Sequence, residues 1–98
     1  MRISDQEKFL FIQYAKKHFG NQMHLYLFGS RIDDDKKGGD IDLFLDSKID
    51  ITMQQQINFI ADSYQYITSR KLDLVVKSPN LENRPIYDTA KAEGILLC

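Results

Sequence analysis

Three aspartates and one Gly-Ser turn are the residues of this chain best placed for chemistry. Leu27-Phe28-Gly29-Ser30 is followed, nine residues on, by Asp40-Ile41-Asp42-Leu43. Asp73 stands alone in the apolar run Lys71-Leu72-Asp73-Leu74-Val75-Val76. Residues two apart on a strand project from one face, with Cα atoms roughly 6.5–7 Å apart. Two carboxylates at about 7 Å repel by about 2 kcal/mol at an effective dielectric near 20. A third nearby raises that cost. A hard cation removes it, and Mg²⁺ is usually shared between carboxylates and substrate phosphates. No Cys-His set has zinc spacing.

The turn supplies the other half. Gly29 lets the backbone approach a phosphate, and successive N–H groups in such a turn form an anion nest. Ser30 adds a hydroxyl donor, and Arg31 adds a permanent charge with forked donors. Mg²⁺ and Arg31 then neutralise a triphosphate while the strands fix the line of attack.

These positions resemble the signature of the DNA polymerase beta-like nucleotidyltransferase superfamily. The longer stretch, Leu27 to Arg31 and Gly39 to Leu43, is similar to its minimal nucleotidyltransferase (MNT) branch, as is the ending Ala92-Glu93-Gly94-Ile95-Leu96-Leu97. The resemblance implies roles. Asp40 and Asp42 hold the metal ions on the triphosphate. Asp73 completes the second metal site and orients the attacking hydroxyl. Gly29 and Ser30, with Arg31, hold the phosphates. Two Mg²⁺ ions and ATP are the implied cofactor and substrate.

Minimal members of this kind pair with a helical HEPN protein as toxin and antitoxin. By resemblance, the present chain is the antitoxin and an enzyme, moving AMP from ATP to a tyrosine of the HEPN partner. The chain ends near where the minimal catalytic unit ends, so the acceptor is expected on another polypeptide. Two alternatives stay open. One is transfer to a small hydroxyl compound such as an aminoglycoside, with a homo-oligomer building the pocket. The other is a non-catalytic nucleotide-binding module that neutralises its partner by contact.

The elements that must position these residues follow from pattern. Ser4-Asp5-Gln6-Glu7 fits a capping box, and an apolar-rich helix runs from there to Gly20. Residues 21–28 make a strand, 29–39 a loop and 40–45 a second strand, with Asp40, Asp42 and Phe44 on one face. Residues 51–70 make a helix with Thr52 and Gln55 as a second capping box. Met53, Ile57, Ile60, Tyr64 and Ile67 recur at spacings of four and three, which predicts its core face. Residues 72–76 make a third strand with Asp73 outward. Pro85 opens a last short helix and Gly94 stops it. Ile95-Leu96-Leu97 forms a short strand or an apolar tail. The expected fold is α/β, a small mixed sheet with helices packed on it, in the manner of polymerase beta-like nucleotidyltransferases.

With 98 residues, 1–98 reads as a single domain. Its 13 Lys and Arg against 14 Asp and Glu argue against wholesale nucleic-acid binding. The sequence has no signal-peptide core and no membrane-length apolar run, so a cytoplasmic protein is expected. Cys98 is the one cysteine, which excludes an intrachain disulfide. Asp33, Asp34 and Asp35 read as a solvated loop, because EF-hand spacing is absent. Lys36 and Lys37 read as surface charge, with contact to a phosphate left as the alternative. His18 and His24 show no partner pattern and read as packing or surface residues. Tyr64 and Tyr66 lie on the second helix, where a partner contact is open to them but nothing in the sequence requires one.

Overall fold

The computed structural model describes residues 3–28 and 39–98. Gly29, Ser30, Arg31, the acidic run Asp33 to Asp35, Lys36 and Lys37 lie outside the described residues.

Helix α1 (Asp5–Phe19) begins as its capping box demands. The Ser4 hydroxyl accepts from the Glu7 N–H at 3.0 Å, and the Ser4 N–H donates to the Glu7 carboxylate at 2.8 Å. It ends at Gly20, whose φ of 82° suits a residue without Cβ. Strand β1 (Met23–Phe28) follows, then β2 (Ile41–Ser47). Helix α2 (Met53–Tyr66) also carries its expected box, between Thr52 and Gln55. It stops short of residue 70, where the N–H groups of Ile67 and Thr68 both turn back onto the Ser63 carbonyl. Strand β3 (Leu72–Lys77), helix α3 (Ile86–Glu93) and the two-residue β4 (Ile95–Leu96) complete the chain.

The sheet order is β3-β2-β1-β4. β2 and β3 are parallel, joined through α2, while β1 is antiparallel to both β2 and β4. The sheet is therefore mixed, as expected. Strand periodicity sorts its two faces. Leu25, Leu27, Leu43, Leu45, Leu72 and Val76 face α1 and α2 and form the main core. Tyr26, Phe28, Phe44 and Val75 face the other way, where Tyr87 and Ala90 of α3 cover them.

One expectation holds only in part. Ile60 and Ile67 of the Met53 stripe pack against the core, but Met53, Ile57 and Tyr64 are 67%, 50% and 45% exposed. Phe59 and Ser63 are the buried residues of this helix. Phe59 is its largest apolar side chain and fills the gap between Phe11 and Phe19, at ring separations of 6.4 and 5.1 Å. Burying one aromatic ring outweighs a stripe of smaller side chains that can rest over the sheet edge. Among the described residues, no helix is long and apolar enough to cross a membrane.

Candidate functional site

The parallel register between β2 and β3 sets Asp42 directly opposite Asp73. Paired residues on adjacent strands lie about 4.8 Å apart and point to one face. Phe28 is the partner of Asp42 on its other side, so one row across the sheet reads Phe28, Asp42, Asp73. The next row, Tyr26, Phe44 and Val75, is apolar, and the Phe44 ring packs at a tilt against Tyr26 and Tyr87, each at 5.7 Å. The carboxylates thus stand at the rim of an aromatic shelf on the face that carries α3. Asp42 is half-buried and Asp73 is exposed.

Asp40 lies one residue before β2 and is exposed. The strand begins at Ile41 rather than at residue 40 and runs on to Ser47. Both neighbours of Asp40 are anchored. The Ile41 N–H donates to the Lys71 carbonyl at 2.8 Å, and Arg70 donates from Nε to the Gly39 carbonyl at 2.7 Å. The approach to β3 therefore grips the approach to β2. Arg70 is a residue that sequence reasoning passed over. Its one signal was the basic pair Arg70-Lys71 just ahead of an aspartate-bearing strand.

The donor chemistry fits Mg²⁺, which takes one or two carboxylates and fills its remaining positions with phosphate and water oxygens. Asp42 and Asp73 make such a pair. Among the described residues, no group of three or more His, Cys, Asp or Glu side chains could hold a metal ion. The structure thus brings Asp42 and Asp73 together and places Asp40 beside β2 rather than within it.

The remaining candidates have structural settings. His18 does have a partner, because its Nε2 sits 2.6 Å from an Asp62 carboxylate oxygen and ties α1 to α2. Its ring packs on Tyr14, Phe19 and Phe59. His24 is exposed, 3.4 Å from the Cys98 carbonyl. Tyr66 stacks on Tyr14 at 5.9 Å.

No protein-family model matches this chain, and no curated protein matches it.

Proposed function

We propose that this chain is a metal-dependent nucleotidyltransferase that moves AMP from ATP to a tyrosine hydroxyl of a helical HEPN partner, as the antitoxin of a cytoplasmic toxin–antitoxin pair. The observation that supports this reading most is the pairing of Asp42 with Asp73 on neighbouring parallel strands. Carboxylates side by side repel, and a divalent cation between them would turn that repulsion into attraction. Asp40 lies between two anchored backbone positions, one residue before β2.

When bound, Mg²⁺ neutralises charge on the triphosphate oxygens. The facing pair Asp42 and Asp73 would hold it, and Asp40, which the resemblance adds as a ligand, would have to swing in to join them. By the resemblance, Gly29 and Ser30, which follow Phe28 in the sequence, would hold the phosphates. Arg31 supplies a fixed positive charge to the phosphates. The acceptor oxygen bonds to the α-phosphorus, the bond to the bridging oxygen breaks, and pyrophosphate leaves. Asp73, the exposed member of the pair, would take the hydroxyl proton and orient the oxygen, as the resemblance implies.

The test is labelled ATP, MgCl₂ and a co-purified HEPN partner, with Asp40→Asn plus Asp42→Asn as control. Label on the partner that the double variant abolishes is the expected result. Absence of label with ATP still bound refutes protein nucleotidylation. Label on an added aminoglycoside instead would identify a small-molecule acceptor.

A further inference from the structure

The turn from α2 into β3 is fixed at successive residues. The Ile67 and Thr68 N–H groups bond to the Ser63 carbonyl, and the Arg70 N–H donates to the Thr68 hydroxyl at 3.0 Å. The Lys71 carbonyl accepts from the Ile41 N–H at 2.8 Å. Leu72 then opens β3, and Asp73 follows it.

The Leu72 N–H is not used by β2. It donates to the Tyr64 hydroxyl at 2.8 Å, and the same hydroxyl lies 3.4 Å from the Leu72 carbonyl oxygen. Among the described strands, β3 stands at the edge of the sheet. Tyr64 therefore holds its first residue from outside the ladder. Tyr64 itself belongs to a well-packed helix. Its neighbour Ser63 is fully buried and bonds to the Phe59 carbonyl at 2.8 Å, and Phe59 is wedged between Phe11 and Phe19. The start of β3 is thus referenced to α2 as well as to β2.

The residue that follows gives this contact its weight. Asp73 is the second residue of β3, and Asp42, which it faces, is the second residue of β2. Strand ends open readily, and an edge strand has one neighbour to hold it. Two carboxylates facing each other there repel and favour the opening. Mg²⁺ tolerates little looseness, because it demands near-ideal octahedral geometry with oxygens about 2.0–2.1 Å away.

We propose that Tyr64 is a positioning residue of the carboxylate site: its hydroxyl pins Leu72 to α2, fixes Asp73 opposite Asp42, and so sets the affinity of the pair for a divalent cation. The inference rests on the metal-site reading of that pair. Tyr64 acts through the Leu72 backbone and not on the ion. Its side chain is 45% exposed, so Tyr64→Phe removes the hydroxyl without opening the core.

The test titrates MgCl₂ alone into the isotope-labelled whole chain and follows the amide NMR shifts of Asp42 and Asp73. Tyr64→Phe should bind Mg²⁺ about three- to tenfold more weakly, less than the roughly 10–100-fold lost with a partner bonded directly to a ligand. Tyr66→Phe removes the hydroxyl of the nearby tyrosine that stacks on Tyr14, and should bind as wild type does. In the transfer assay, Tyr64→Phe should need more MgCl₂ for half-maximal rate by the same factor, with the rate at saturating MgCl₂ within about twofold of wild type. A lowered melting temperature with both Mg²⁺ dependences unchanged would make the hydroxyl merely structural and overturn the inference, while the metal site stands. Equal weakening in Tyr66→Phe overturns it too. A wild-type chain whose Asp42 and Asp73 amides ignore MgCl₂ overturns the metal reading itself, and the positioning role with it.

Discussion

Arg70 holds the carbonyl of Gly39 from a distance of 31 residues in sequence, with 2.7 Å between Nε and oxygen. The contact fastens the backbone just ahead of Asp40 to the turn that precedes Asp73. Both carboxylate-bearing strands therefore begin from a common anchor. Arg70→Ala should cost about 1.5–3 kcal/mol in chemical denaturation, the usual worth of a hydrogen bond to a charged group. Nucleotidyl transfer should fall further than stability does, because the approach to Asp40 loosens. Arg70→Lys should recover little, since an ammonium on a flexible stem does not reproduce the planar donor. Wild-type transfer by a folded Arg70→Ala protein would remove the anchoring role.

The Asp42–Asp73 pair predicts opposite effects on stability and activity. Without metal, Asp73→Asn relieves repulsion and should leave stability unchanged or raise it by up to about 1 kcal/mol, a limit set by the exposure of Asp73. MgCl₂ should raise the wild-type melting temperature and leave that of Asp42→Asn unchanged. Transfer should fall at least about a hundredfold in either variant, equivalent to about 2.7 kcal/mol of barrier. Thermal melts with and without MgCl₂, beside the labelling assay, separate these effects.

The orientation of α2 is testable by contrast. Phe59 is fully buried between two phenylalanines, so Phe59→Ala should destabilise by about 3–5 kcal/mol. Ile57, two residues earlier, is half exposed, and Ile57→Ala should change stability by no more than about 0.5 kcal/mol. Urea midpoints for the two variants in one buffer check this. Equal losses would mean that Ile57 faces the core after all.

Burial raises the pKa of the Cys98 thiol above its ordinary value, against smaller opposing effects of a backbone hydrogen bond at Leu25 and the charge of Lys16. The folded chain thus keeps the thiol proton more tightly than the unfolded chain. That contribution is whole below the unfolded thiol's pKa and is lost as pH rises through the folded one. Stability should therefore decline as pH rises through and above the ordinary thiol range, and Cys98→Ala should flatten the decline. Alkylation by iodoacetamide at about pH 8 should be slower in the folded chain than in urea.

Local chemistry was the legible part of the fold. Ser4 with Glu7 and Thr52 with Gln55 mark helix starts because a capping box lies within four residues. Alternation along β1, β2 and β3 identified both faces, including the outward side of Asp42 and Asp73. Strand order was harder to read, since it depends on pairings between distant segments. The Asp42–Asp73 register is of that kind, and so is the reach of Arg70. The rotation of α2 was only partly legible, because spacing weighs every apolar residue alike. Phe59 is decisive through volume and through the ring-sized gap that Phe11 and Phe19 leave. The Gly29-Ser30 half of the site rests on sequence alone.

Strand β4 is two residues long, yet with the residues after it this segment covers the middle of β1. Ile95 and Leu96 pair with Leu27 and Tyr26, and Leu97 and Cys98 exchange backbone hydrogen bonds with Leu25. So brief a strand is the natural first segment to peel away in a sub-global opening. Its release would bare a central strand to any other extended segment, including the same residues of another molecule. Fast amide exchange at Leu25 and Leu97, ahead of Leu43 and Leu45, would mark that opening. Segment exchange between molecules would be this protein's characteristic misassembly.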